Sequence, residues 1–249
     1  MTTEPKAWRS YLHRPFTIAS IRTENDRAKT LVFHAGLPAQ PGQFVMAWLP
    51  GVDEKPFSIA APEPLTLTVV AVGPFSQALH RLAAGDRIWI RGPLGHGYQL
   101  AGKHLLLVGG GYGVAPLLFL ARTALAAGCT VQVCIGARTA AEVLLVDDLQ
   151  RVGASTHITT EDGSLGTAGL VTIATEAAIN SHRPDTVYAC GPVKMLEAID
   201  RQCEVCNLPR QLSWEAHMRC GIGLCGSCEL PSPGSGWLTC LDGPVSFSR

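Results

Sequence analysis

The sequence predicts a multi-domain β plus α/β protein: an antiparallel β-barrel, then a parallel-sheet α/β domain, then a small C-terminal domain organised by cysteines. Three observations carry this. Short β-branched or alternating runs, broken by Pro and Gly, fill residues 8–99. Apolar strands alternate with helical segments between 103 and 207. Four cysteines spaced C-x4-C-x2-C-x11-C close the chain. The expected domains are therefore 1–99, 100–208 and 209–249.

Composition bounds the function. Of 249 residues 47% are hydrophobic and 16% charged, enough for sizeable cores and too apolar for a disordered chain. Lys+Arg and Asp+Glu are equal at 20 each, so nothing calls for nucleic acid or an anionic membrane surface. Residues 1–6 lack the apolar run of a signal peptide. The apolar stretch 105–127 is interrupted by Gly109, Gly110, Gly111, Gly113, Pro116 and Arg122, and reads as strand, loop and helix rather than a membrane span. The expectation is a cytoplasmic protein, where nine cysteines are not a disulfide framework.

In the first domain, 16–21, 30–33, 43–48, 65–70 and 87–90 read as strands of a barrel or sandwich. A helix is expected over 76–83, capped by Ser76 and ended by Gly85. Two stretches set Pro, Gly, aromatics and a cation beside strand ends: 41–44 with 55–59, and 91–98. Ordinary turn chemistry explains both.

In the second domain, 103–108 forms a continuous apolar strand. Gly109, Gly110, Gly111 and Gly113 follow, then a helix over 117–127 with Pro116 at its start. Strand, glycine loop and helix N-terminus make a pyrophosphate site, because free N–H groups and the helix dipole face the anion. The spelling is G-x-G-x-G, which only partly meets G-x-G-x-x-G. Strands over 130–136, 156–160 and 186–190 alternate with helices over 140–152, 170–179 and 193–207. That pattern means right-handed βαβ units, with ligands at the carboxyl ends of the strands. Those ends carry the glycine loop, Ala137-Arg138, Glu161-Asp162-Gly163 and Cys190-Gly191-Pro192. Cys190 has only Tyr188 nearby as an acid–base partner, so it reads as a shaping residue rather than a nucleophile.

The tail Cys220, Cys225, Cys228 and Cys240 has plant-type [2Fe–2S] spacing. A two-iron core needs four converging thiolates, and Gly221, Gly223 and Gly226 let the backbone wrap its N–H groups around an anionic cluster. The competitor is structural zinc, whose motifs usually present two short-spaced pairs rather than a triplet and a singlet. Cys129 and Cys134 read as small buried hydrophobes. Cys203 and Cys206 fall on a helix rather than forming a second metal site.

Taken together, Lys-Pro-Phe-Ser-Ile, Gly-Pro-Leu-Gly-His-Gly-Tyr, Gly-Gly-Gly-Tyr-Gly-Val-Ala-Pro, Cys-Gly-Pro and the cysteine tail resemble the ferredoxin–NAD(P)+ reductase superfamily. The tail with its ending Cys240-Leu241-Asp242-Gly243-Pro244-Val245 looks, more narrowly, like the electron-transfer subunits of two-subunit, NAD-linked dihydroorotate dehydrogenases. The resemblance covers nearly the whole chain and implies an FAD-binding barrel, a nicotinamide-nucleotide domain and a [2Fe–2S] domain. It implies that Lys55, Pro56, Phe57 and Ser58 match the family's R-P-x-S segment, with the cation at the FAD pyrophosphate and Ser58 near the isoalloxazine. Lys keeps the charge of the usual Arg but not its bidentate fork. Thr68, Val69 and Val70 match the next FAD strand. Phe75 and Ser76 stand where the family has Gly and Thr. Gly109, Gly110, Gly111 and Gly113 match the nicotinamide-nucleotide loop, and Cys190, Gly191 and Pro192 the segment beside the nicotinamide. Glu161 and Asp162 would repel a 2′-phosphate and Arg138 could attract one, so NADH is favoured.

The expected activity is hydride transfer from NADH to FAD, then single electrons through the cluster to a flavin-bearing dihydroorotate dehydrogenase catalytic subunit in pyrimidine biosynthesis, within a hetero-oligomer. Hydride transfer needs no acid or base, and none is assigned. The alternatives keep the chemistry and change the partner to a hydrogenase, sulfite reductase or transhydrogenase complex, or dispense with a partner as a free-standing flavin reductase. A zinc-stabilised interaction module is the alternative of another class. The loop 231–236 is expected to be exposed, with Leu224 and Trp237 either contacting a partner or shielding the cluster.

Overall fold

The structure is a computed structural model and describes residues 10–230 and 236–248. Residues 1–6 and 231–235, on which two expectations fall, lie outside the described residues.

The first unit contains β1 (Arg14–Asn25), β2 (Ala28–Phe33), β3 (Phe44–Leu49), β4 (Asp53–Ser58), β5 (Ala61–Pro62), β6 (Leu65–Val70), α1 (Pro74–His80) and β7 (Arg87–Leu94). Among the described residues the strands form one antiparallel sheet in the order β4-β3-β7-β1-β2-β6-β5. The twelve-residue β1 joins its halves: Arg14–Thr17 pair with β7, and the residues from Ile18 onward pair with β2. A register shift between Ile18 and Ser20 marks the bend, as a bulge does when it curls a sheet. Alternation then does the sorting. Leu65, Leu67 and Val69 are buried in the barrel core with Ile18, Leu31, Phe33, Ile88 and Ile90, while Thr66, Thr68 and Val70 face outward.

The helix expected over 76–83 starts two residues earlier. Pro74, with its fixed φ, takes the first position, so Ser76 lies inside the first turn. Its hydroxyl accepts N–H bonds from Val72 (2.9 Å) and Gly73 (3.1 Å) and donates to the Gly73 carbonyl (3.0 Å).

The second unit contains β8 (His104–Gly110), α2 (Val114–Ala126), β9 (Thr130–Ala137), α3 (Val146–Arg151), β10 (Ser155–Thr160), β11 (Thr167–Ala168), α4 (Val171–Ser181), β12 (Thr186–Cys190), α5 (Val193–Val205), β13 (Arg210–Ser213) and β14 (Val245–Ser248). Its sheet runs β11-β10-β9-β8-β12-β13-β14, parallel except for the β13–β14 pair. The chain winds outward from β8 through β9 and β10, then returns to β12 on the other side. The crevice at that reversal, over the ends of β8 and β12, is the ligand position of such sheets.

Two expectations change here. The helix expected over 140–152 is a 3-10 turn, Ala140–Glu142, and the separate α3, with Leu145 left-handed between them (φ 59°). The break lets Leu144 and Leu145 bury in the core beneath the sheet, where each large apolar side chain contributes about 1.5–3 kcal/mol. The boundary expected at 208/209 falls inside this sheet, since β13 and β14 both belong to it. The cysteine segment is an excursion between these two strands, closed at its base by the Trp214 N–H donating to the Pro244 carbonyl (2.8 Å).

The two units share their cores. Phe119 of α2 packs in the barrel core. Tyr98 packs in the sheet core, edge-on to Tyr188, and its hydroxyl donates to the Ala189 carbonyl (3.0 Å). The 91–98 stretch is thus a junction. Gly97 is required because a Cβ there would lie 2.1 Å from the Pro41 carbonyl oxygen. No helix among the described residues is long and apolar enough to cross a membrane.

Candidate functional site

Two cavities open between the units. The larger, about 880 Å³, lies over the carboxyl ends of the parallel strands, with Gly110, Gly111, Arg138, Glu161 and Pro192 in its wall. At Gly113 and Gly110 the neighbours leave no room for a Cβ. A Cβ on Gly113 would sit 2.2 Å from the Cys190 carbonyl oxygen, and one on Gly110 2.9 Å from Pro192 Cδ. Gly109 and Gly191 line neither cavity. A Cβ on Gly109 would meet Val114 at 2.8 Å, and one on Gly191 the Met195 side chain at 2.7 Å. They let β8, α2, β12 and α5 converge.

The second cavity, about 500 Å³, lies between the barrel and the sheet. Lys55, Pro56, Phe57 and Ser58 of β4 form one side, with Thr68 and Val70 of β6 and with Phe75 and Ser76 of α1. Of the expected strand 68–70, Val69 points into the barrel core and is absent from the wall. Phe75, where the resemblance expects Gly, is buried against Phe57, ring centroids 6.1 Å apart. Lys55 Nζ lies 2.6 Å from Asp53 Oδ2. Opposite stand Gly113, Cys190 and residues 213–218. An apolar slot with polar edges and one cation fits a flavin ring system.

Cys190 is fully buried, and burial pushes its thiol up to about 12. Tyr188 is no base for it: its hydroxyl donates to the Gln99 carbonyl and accepts the Ala101 N–H.

The segment 213–218 is what sequence reasoning missed. The four-residue β13 delivers it, and strands that short carry little periodic signal. Glu215 accepts a hydrogen bond from the Tyr112 hydroxyl (2.9 Å). Burial raises the Glu215 carboxyl above its ordinary range, and the Tyr112 bond offsets only part of that. Tyr112 itself lines both cavities.

Beyond Met218 the chain enters the cysteine loop. Cys228 and Cys240 are buried together against the barrel, Cys220 is half-buried and Cys225 is exposed. Backbone N–H groups of Ile222 and Leu224 point at Cys220 Sγ (3.5 and 3.4 Å), and that of Gly223 at Cys240 Sγ (3.2 Å). Gly221, Gly223 and Gly226 all take positive φ, which turns those N–H groups inward. Among the described residues no three of His, Cys, Asp and Glu are grouped to hold a single metal ion. Backbone N–H donors aimed at sulfur suit the thiolates of an anionic iron–sulfur cluster.

Phe44 and Met218 line the second cavity and also pack against Cys228 and Cys240. One layer of side chains separates cavity from thiols.

Comparison with known proteins agrees with this geometry. Residues 215–248 match the model of the iron–sulfur cluster binding domain of dihydroorotate dehydrogenase B, and 107–201 that of the oxidoreductase NAD-binding domain. A probable dihydroorotate dehydrogenase B (NAD(+)) electron transfer subunit from Thermococcus kodakarensis is 41% identical over 94% of this chain and 96% of its own. The chain belongs to the dihydroorotate dehydrogenase B electron transfer subunit family. A second member, from Methanothermobacter thermautotrophicus, is 38% identical over 93% of this chain and 88% of its own. Beyond this family, a solved structure of an NADH-dependent reduced ferredoxin–NADP oxidoreductase superposes with TM-score 0.84 at 28% identity, covering 93% of this chain and 87% of that one. The cytochrome b5 reductase domain of Ulva prolifera nitrate reductase shares the fold: TM-score 0.67, 19% identity, 79% of this chain and 94% of that one.

Cys129, Cys134 and Cys203 are buried, and Cys206 ends α5. Trp237 directs its indole N–H to the Gly243 carbonyl (2.9 Å), whereas Leu224 is 81% exposed.

Proposed function

We propose that this chain is the electron transfer subunit of a dihydroorotate dehydrogenase B. It exchanges electrons between NAD(H) and a flavin-containing catalytic subunit of pyrimidine biosynthesis, and it works in the cytoplasm. The observation that carries the reading is the shared wall: Phe44 and Met218 face the second cavity on one side and Cys228 and Cys240 on the other.

The labour divides along the chain. Residues 1–99 hold FAD, with Lys55 toward its pyrophosphate, the Pro56, Phe57, Val70 and Phe75 surfaces against its ring, and Ser58, Thr68 and Ser76 as polar edges. Val69 contributes only backbone. Residues 100–208 hold the dinucleotide, with Gly109, Gly110, Gly111 and Gly113 shaping its phosphate site, Cys190 and Pro192 walling the nicotinamide end, and Gly191 letting α5 pack close behind them. Residues 209–249 hold a [2Fe–2S] cluster on Cys220, Cys225, Cys228 and Cys240, while β13 and β14 complete the neighbouring sheet. When bound, FAD splits the two-electron hydride of NADH into the single electrons that such a cluster accepts. The chain's own share is to bring the two cavities together at Val70, Val72 and Tyr112, exclude water with Phe57, Phe75 and Met218, and present the cluster loop at the surface. Exposed Leu224, with Ile222 and Leu241 beside it, is the apolar contact for the partner, and Trp237 is a brace within the loop.

Reconstitution tests this reading. Mixed with its catalytic subunit, the chain should support NAD+ reduction by dihydroorotate, and alone it should not. If it pairs instead with another oxidoreductase and leaves dihydroorotate untouched, the partner assignment is wrong. The likeness to the ferredoxin–NADP oxidoreductase structure makes a change of partner the second reading. A purified protein that is colourless and holds stoichiometric zinc would contradict the redox reading altogether.

A further inference from the structure

The dinucleotide cavity has an unexpected charge arrangement at its far end. β9 lies beside β8, with Gly110 paired to Gly136, so the end of β9 is one strand away from the glycine loop. In such sheets the adenosine ribose reaches this point. An acidic residue there bonds the 2′-hydroxyl, and an arginine accommodates a 2′-phosphate. The residue here is Arg138, in the cavity wall. Taken alone, it would favour NADPH.

Arg138 is not alone. Its Nε donates to Glu142 Oε2 (3.0 Å) and its Nη2 to Glu142 Oε1, a bidentate pair across the bend that follows β9. Arg27, from the turn between β1 and β2, brings a second guanidinium within 4.0 Å of the same carboxylate. Asn25 ties that turn down by donating to the Ala141 carbonyl (2.9 Å). Arg27, Arg138 and Glu142 all line the cavity. The fork that would grip a phosphate is therefore filled by a carboxylate. The Arg138 hydrogen bond holds the Glu142 carboxyl below the usual carboxylate range, so it stays charged at neutral pH.

Of the acidic residues that the sequence points to, Asp162 is engaged elsewhere, accepting bonds from the Ser164 N–H (3.0 Å) and hydroxyl (2.6 Å). Glu161 remains in the cavity wall and adds a second negative charge.

We infer that Glu142 is the residue that selects NADH over NADPH, by occupying the Arg138 fork and repelling a 2′-phosphate. This rests on the NAD(H) reading above. An exposed ion pair is weak by itself, so the discrimination comes chiefly from like-charge repulsion at a filled site. Removing the carboxylate converts the same corner, with Arg138 and Arg27 freed, into a phosphate-binding one.

The test is calorimetric, with 2′,5′-ADP and 5′-AMP as probes on the FAD- and cluster-loaded protein. Glu142→Gln should tighten 2′,5′-ADP relative to 5′-AMP by about tenfold, and Arg138→Gln added to it should abolish the gain. An unchanged ratio in Glu142→Gln, with wild type preferring NADH, overturns the assignment and leaves the NAD(H) reading standing. A wild type that binds 2′,5′-ADP the more tightly and oxidises NADPH faster than NADH overturns both.

Discussion

The Arg91 guanidinium donates to the Cys220 carbonyl at 2.7 Å. Arg91 belongs to the barrel, is 6% exposed, and also donates to both oxygens of Glu54 (2.6 and 3.1 Å). Burial would raise the Glu54 carboxyl, but the Arg91 and His13 hydrogen bonds more than reverse this. A cation inside the barrel wall thus anchors the backbone at Cys220, the first cysteine of the loop. Removing one partner of a fully buried pair costs about 3–5 kcal/mol, and the partial exposure of Glu54 brings this down to about 2–3 kcal/mol. Arg91→Met should lose about that much in denaturant unfolding and hold less iron per FAD, with Arg91→Lys between. Full iron content and wild-type stability in Arg91→Met would show that the anchor is unnecessary.

The glycine loop gives a contrast between two substitutions. Gly113 has an ordinary negative φ of −61°, yet its Cβ would overlap the Cys190 carbonyl oxygen. Gly111 has open space around it, yet φ is +54°. Gly113→Ala should push the loop off β12 and weaken NADH binding at least tenfold. Gly111→Ala should cost only about 1–2 kcal/mol of stability from left-handed strain. Equal effects on NADH titrations of the two proteins would contradict the backbone-contact argument.

Acid stability should report the latch between barrel and sheet. Arg22 of β1 forms a bidentate bond to Asp148 of α3, which Arg151 also contacts. Burial raises the Asp148 carboxyl, but these cations bring it below its ordinary range. A carboxyl depressed in the folded state stabilises fully above its unfolded value, about 4, and the benefit fades as pH falls through the folded value. Arg22 is half exposed, so screening limits the effect to about 1 kcal/mol. The stability gap between wild type and Asp148→Asn should be constant from pH 8 to 5 and shrink below pH 4. A gap that persists at pH 2 would rule out this linkage.

Glu215 faces the flavin cavity with a raised carboxyl that the Tyr112 hydroxyl holds down. Tyr112→Phe removes that donor and should move the Glu215 titration to higher pH. Stopped-flow reduction of FAD by NADH across pH should show the same shift if Glu215 governs its profile. An unmoved profile would remove Glu215 from the step.

The parallel sheet and its ligand edge were legible because each carries its own signal: continuous apolar strands, then glycines where backbones must touch. Gly113 against Cys190 is that logic in one contact. The cysteine spacing was legible because ligand chemistry dictates it. β4 was hidden because Pro56 and the charges at 53–55 argue against a strand, and only pairing with β3 stabilises it. The break at Leu145 was hidden because burial of Leu144 and Leu145, not local propensity, decides it. Glu142 and Glu215 matter through partners, Arg27 and Tyr112, more than a hundred positions away in sequence, and no local pattern records such pairings.

The central claim is that electrons leave through the cysteine loop. Cys225→Ser, assayed with the catalytic subunit bound, tests it most directly. NADH should still bleach the FAD of this chain at near wild-type rate, while reduction of the catalytic subunit's flavin should fall at least a hundredfold. Undiminished reduction of that second flavin would contradict the account.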